Sequence, residues 1–97
     1  MSKEIRALNT EIDKNTKIIM ACEDAMLNLI TIQNSLKLLR KSTRKIYPEN
    51  EDTKDLAKTI LVVGGDIASL KAEVEDVASN TADRIQELKR KLEERNE

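Results

Sequence analysis

Few residues in this sequence could carry chemistry. There is no histidine, so the side chain that most often serves as general base or metal ligand near neutral pH is missing. Cys22 is the single cysteine; it cannot form an intrachain disulfide, and the chain needs no oxidising compartment. It falls on an apolar periodic position without an evident base beside it, which reads as a small core residue rather than a nucleophile. Tyr47 is the only aromatic residue and stands directly before Pro48, the only proline. A role packing a turn suits it better than acid catalysis. Carboxylate pairs such as Glu73/Asp76 and Glu93/Glu94 lie on polar faces. A metal site would need acids converging from two segments, and the apolar seam supplies none. The inventory points away from an enzyme, a cofactor or a metal.

One cluster remains. Lys37, Arg40, Lys41, Arg44 and Lys45 follow one another with no acid between them, a pattern that could contact phosphate groups of a nucleic acid or another anion. Glu49, Glu51, Asp52 and Asp55 follow closely, and no aromatics are interleaved for base stacking. The competing reading is structural. Basic residues at the end of one helix and acidic residues at the start of the next each complement the local helix dipole, and the two groups offset one another across a hairpin tip.

The elements that must position these residues are helices. Charged residues make up 36% of the chain and the hydrophobic set 39%, with two glycines and one proline; that composition suits long packed helices, while a globular core almost without aromatics is unusual. A net charge of -1 gives no general attraction to nucleic acid or anionic membrane. The N-terminal residues lack the apolar core of a signal peptide. The most apolar stretch, residues 18–32, is interrupted by Glu23, Asp24 and Asn28 and falls short of the roughly 18–20 clean residues a membrane span needs. The expectation is a soluble, cytoplasmic chain, of cellular or viral origin, that does not enter a membrane.

With Ile5 as heptad position a, that position reads Ile5, Ile12, Ile19, Met26, Gln33 and Arg40. Position d reads Leu8, Asn15, Cys22, Leu29, Leu36 and Thr43. This sustained seam predicts a helix over about residues 3–46 that pairs with another. A second stripe, Ile18, Ala25, Ile32, Leu39 and Ile46, runs at position g, and Met20, Leu27, Ile30 and Leu38 lie off both stripes. A helix apolar over so wide an arc wants burial on several sides. Asn15 and Gln33 interrupt the seam and are candidates for fixing register. Pro48 ends the helix near Tyr47. Asn50, Asp52 or Thr53 can cap a second helix, placing the turn at about 47–52 and the second helix at about 53–95.

In that second helix the large apolar residues give a seam through Leu56, Ile60, Val63, Ile67, Leu70, Val74, Val77 and Thr81, then Ile85, Leu88 and Leu92. The four-plus-four step at Val77–Thr81–Ile85 reads as a stutter. Ile60–Asp66 taken alone resembles a strand entering a glycine turn, but it has no second strand to satisfy its backbone groups. Gly64 and Gly65 inside a helix cost about 2 kcal/mol relative to alanine. Either a neighbour approaches closely there, or the helix kinks or breaks.

Folding the chain back at Pro48 pairs residues whose numbers sum to about 97 if the two helices run antiparallel. Leu36 then lies near Leu61, and the glycine pair opposite Ile32 and Gln33. The expected fold is all-α: one domain, residues 1–97, forming an antiparallel, coiled-coil-like helical hairpin that assembles into a helical bundle. One seam per helix is consumed by the pairing. The rest, including Ile18, Met20, Ala25, Leu27, Ile30, Ile32, Leu38, Leu39, Leu61, Val62, Gly64 and Gly65, is left for a partner. The expected function is non-enzymatic: a coiled-coil assembly or interaction protein that self-associates, as a homodimer or higher oligomer, or docks on another helical protein through this apolar middle. The alternatives are a small nucleic-acid- or anion-binding regulatory protein that uses the Lys37–Lys45 cluster, and a virus-encoded inhibitor of a host protein.

Overall fold

A computed structural model describes residues 2–46 and 51–96. It contains two helices, α1 (Lys3–Ile46) and α2 (Glu51–Asn96), and no strand among the described residues. The expected turn residues Tyr47, Pro48, Glu49 and Asn50 lie outside that set. The fold is an all-α helical hairpin. The start of α1 follows from Ser2, whose side-chain oxygen accepts from the backbone N–H of Ile5 at 3.2 Å, satisfying one of the donors a helix N-terminus leaves open. Glu4 occupies the first turn, and Arg44 and Lys45 the last, each at the dipole end that favours its charge. α2 begins at Glu51, so Asp52 is a first-turn residue and not a cap; a carboxylate is favourable there for the same dipole reason.

The chain divides into two compact units, Met1–Ala25 with Val74–Glu97, and Met26–Glu73. In the first, Asn15 and Cys22 of α1 and Thr81 and Leu88 of α2 are buried, with Ile5, Leu8, Ile12, Ile85 and Leu92 half-buried around them. The Arg95 guanidinium meets the Glu4 carboxylate at 2.8 Å, so the last turn of α2 lies beside the first turn of α1. The simple fold-back places residue 93 there, about half a turn away.

In the second unit Leu29, Thr43 and Ile60 are buried, and Met26, Leu36, Ala57 and Ile67 half-buried. Gln33 and Leu36 share one hollow with Ile60, Leu61, Gly64 and Gly65, which is the antiparallel pairing expected from the sequence. α2 runs unbroken through both glycines. A Cβ built on either one meets nothing within 4 Å, so the hairpin itself makes no close approach that would require glycine.

The seam of α1 follows the a and d positions. That of α2 differs from the sequence reading. From Ala57 onward its least exposed positions are Ala57, Ile60, Gly64, Ile67, Lys71, Val74, Ala78, Thr81, Ile85, Leu88 and Leu92, alternating steps of three and four without interruption. There is no stutter at Val77–Thr81–Ile85. Ala78 takes the inner place, while Val77 is 48% exposed and Val63 39%. Leu56, Val63, Leu70 and Val77 form a separate stripe beside the seam. Among the described residues four apolar side chains, Cys22, Leu29, Ile60 and Leu88, are buried, and none is fully enclosed.

The buried polar residues are satisfied within their own helices. The Asn15 amide donates to the Glu11 carbonyl at 2.7 Å, the Thr81 hydroxyl to the Val77 carbonyl at 2.7 Å, and the Thr43 hydroxyl to the Leu39 carbonyl at 2.9 Å. Among the described residues no buried side-chain polar atom lacks a partner. The register role considered for Asn15 therefore has no cross-seam hydrogen bond from its amide; that group is engaged one turn back.

Candidate interaction surface

In the unit Met26–Glu73 the flanks of the seam can be assigned to sides. A hollow of about 360 Å³ is lined by Gln33, Leu36, Lys37, Arg40, Ile60, Leu61, Gly64 and Gly65. A smaller one, about 140 Å³, is lined by Arg40, Thr43, Arg44, Ala57 and Leu61. Sharing Arg40 and Leu61, they form one groove along one side of the helix pair. Its floor is aliphatic, and the two glycines leave it open on α2. Lys37, Lys41 and Arg44 are spaced four and three apart along α1, and Lys54, Lys58 and Leu61 likewise along α2, so each trio lines one helix face. All six side chains except Lys54, which is half-buried, are exposed.

This side is basic. Its one acid, Glu51, is engaged by Lys54 at 3.3 Å. Among the described residues no ion pair joins Lys37, Arg40, Lys41, Arg44 or Lys45 to an acid of α2. Of the acids expected to offset these cations across the hairpin tip, Asp52 and Asp55 fall on other faces of α2, and Glu49 lies outside the described residues. Lys45 lies one position beyond Arg44 and points away from the groove side, at the outward heptad position.

The opposite side of the same unit carries Ile32 and Leu39 on α1 and Leu56, Val63 and Leu70 on α2, all exposed. One turn from these on α2 lie Asp52, Asp66 and Glu73, each exposed. The α1 neighbours at the equivalent position are Asn28, Ser35 and Ser42. This side is therefore acidic and apolar, with no basic residue on it.

Of the surface residues anticipated from the sequence, Ile18, Met20, Leu27, Ile30, Ile32, Leu38, Leu39, Leu61 and Val62 are exposed, Leu38 to 65%. Gly65 is exposed, and Ala25 and Gly64 are half-buried. They do not make one patch. Ile30, Leu61 and Gly65 belong to the basic side, Ile32 and Leu39 to the acidic side, and Leu38 and Val62 point outward. Sequence reasoning missed Leu56, Val63 and Leu70 as surface residues, and Lys54 and Lys58 as part of the basic side. Stepping back from Leu61 by three and seven residues finds both lysines.

Near the ends of the chain, a hollow of about 520 Å³ is lined by Glu4, Ala7, Leu8, Glu11, Lys91, Glu94 and Arg95. Its charges are mixed and largely paired, through Glu4–Arg95, Lys91–Glu87 and Arg90–Glu94 at 2.8, 3.7 and 3.3 Å. Among the described residues, no three of His, Cys, Asp or Glu gather to hold a metal ion, and no helix is long and apolar enough to cross a membrane. No family model, curated protein or solved structure matches this sequence.

Proposed function

We propose that this chain is a non-enzymatic helical-hairpin assembly protein whose binding partner is a second copy of itself. The observation that carries the reading is the mismatch between a thin core and a large apolar surface. Among the described residues four apolar side chains are buried, while thirteen large ones are exposed by 39% or more. Soluble monomers rarely leave large apolar patches uncovered, and here two sides of the Met26–Glu73 unit each expose several large aliphatic residues. The chain exposes 7432 Å², where a compact monomer of 11.0 kDa exposes roughly 5,600 Å². The excess, on the order of 1,800 Å² per chain, is about twice the roughly 800 Å² that each partner buries in a standard interface.

Mass in solution tests this reading. Light scattering across a concentration series should give masses above 11.0 kDa that rise with concentration. Truncating Leu61 and Val63 to alanine should shift the series to higher concentration without loss of helix.

A second reading has one observation in its favour: the basic side of the Met26–Glu73 unit, whose α1 cations make no ion pair with an acid of α2 among the described residues. A nucleic acid would meet these charges, but also Ile30 and Leu61 between them, and no aromatic side chain on which a base could stack. A protein surface with both acids and aliphatic residues fits that mixture better. Titration of the chain with labelled single-stranded and duplex oligonucleotides at low salt distinguishes the two.

A further inference from the structure

Resting on the self-association reading, we infer that copies join head-to-tail, the basic side of one hairpin receiving the acidic side of the next. Both sides of the Met26–Glu73 unit are apolar and exposed. A two-fold dimer uses one patch against itself and would leave the other uncovered. Pairing like with like would also bring Lys37, Lys41 and Arg44 against their own copies, or Asp66 and Glu73 against theirs, and like-charge juxtaposition opposes association. Opposite sides are complementary in charge and alike in aliphatic content.

The spacing fits as well. Lys37 and Arg44 are seven residues apart on α1, and Asp66 and Glu73 are seven apart on α2. Each pair spans roughly 10.5 Å of helix. One α2 laid along a neighbour's groove therefore offers both acids to both cations at once. The same approach turns Leu56, Val63 and Leu70 toward the aliphatic floor around Leu61. Gly64 and Gly65 supply the room. Nothing in the hairpin lies within 4 Å of a Cβ at either position, so the helix-propensity cost of the pair has no return inside one chain and gains one when a second helix lies across it. A heterologous contact of this kind propagates unless its rotation closes a ring. The product is a chain or ring of hairpins rather than a fixed dimer.

Charge exchange tests the arrangement. One variant carries Lys37→Glu, Lys41→Glu and Arg44→Glu. The other carries Asp66→Lys and Glu73→Lys. Sedimentation velocity at low salt, with helix content by circular dichroism as the folding control, is run on the parent, each variant alone and an equimolar mixture. The parent assembles, and its assembly weakens as salt is raised. Each variant alone associates at least about tenfold more weakly, because both of its sides now carry the same sign. The mixture recovers assembly. The milder variant Asp66→Asn with Glu73→Gln gives a smaller loss and no rescue.

A first variant that assembles like the parent, or a mixture that fails to recover, overturns the head-to-tail arrangement and leaves self-association standing. So does an oligonucleotide that binds the parent, is lost in the first variant, and is accompanied by no charge-dependent assembly. A parent that stays monomeric throughout overturns the self-association reading itself.

Discussion

Arg95 and Glu4, in the last turn of α2 and the first turn of α1, meet at 2.8 Å. This contact joins sequence positions at opposite ends of the chain and marks the antiparallel course of the two helices in that unit. Its energetic role is small. Both side chains are more than half exposed, and exposed ion pairs contribute about 0–1 kcal/mol. Glu4→Gln should therefore lower unfolding stability by less than about 1 kcal/mol, and the difference should vanish near 1 M salt. Urea melts at low and high salt measure it. A loss above about 2 kcal/mol would mean that the pair holds the hairpin together.

The position of the α2 seam can be tested by paired truncations. Ile60 is 4% exposed, and Ile60→Ala should cost about 2–5 kcal/mol. Val63 lies one turn along, beside the seam, and Val63→Ala should cost under about 1 kcal/mol in dilute solution. Its effect should fall on association. Denaturant melts at low protein concentration separate the two. Equal losses would restore the seam in which Val63 is a core residue.

That seam shows where the sequence was legible and where it was not. The a and d positions of α1 could be read directly, because the heptad spacing set by Ile5, Leu8, Leu29 and Leu36 runs unbroken through the small or polar members Asn15, Cys22 and Thr43. In α2 the inner places fall to Ala57, Gly64 and Ala78, while Leu56, Val63, Leu70 and Val77 stand one position away. Reading by side-chain size selects the second set and produces an apparent stutter. Continuing the three-four spacing backward from Leu92 and Leu88 arrives at the small residues and needs none. The hairpin and its pairing near Leu36 and Leu61 survive that error, since both stripes occupy neighbouring faces of one helix. The two-sided charge pattern does not. It depends on which stripe is inner, because that decides whether Lys58 or Asp66 shares a side with Lys37.

Gly64 and Gly65 should separate folding from assembly. With open space around each built Cβ, alanine at either position should stabilise the helix by up to about 1 kcal/mol. That corresponds to a rise in melting temperature of about 4–8 °C for a chain of this size. Gly65→Ala should at the same time weaken association, since the added methyl group intrudes on the groove floor. Thermal melts and mass measurements on one preparation test both. A substitution that stabilises the helix and leaves assembly untouched would remove the glycines from the interface.

The polar seam residues should prove dispensable for register. Thr81 and Asn15 bond to carbonyls of their own helices, which also lie in the backbone ladder. Thr81→Val and Asn15→Leu should change stability by no more than about 1 kcal/mol or raise it, and leave the assembly's mass distribution as in the parent. A changed oligomer state in Asn15→Leu would assign that residue the register role.

The central claim is that the exposed sides of the Met26–Glu73 unit are covered by further copies of the chain. Absolute mass by light scattering, followed across protein and salt concentration, tests it most directly. The mass should climb above 11.0 kDa as protein concentration rises and fall back as salt is added. A constant mass of 11.0 kDa at every concentration and salt would contradict it.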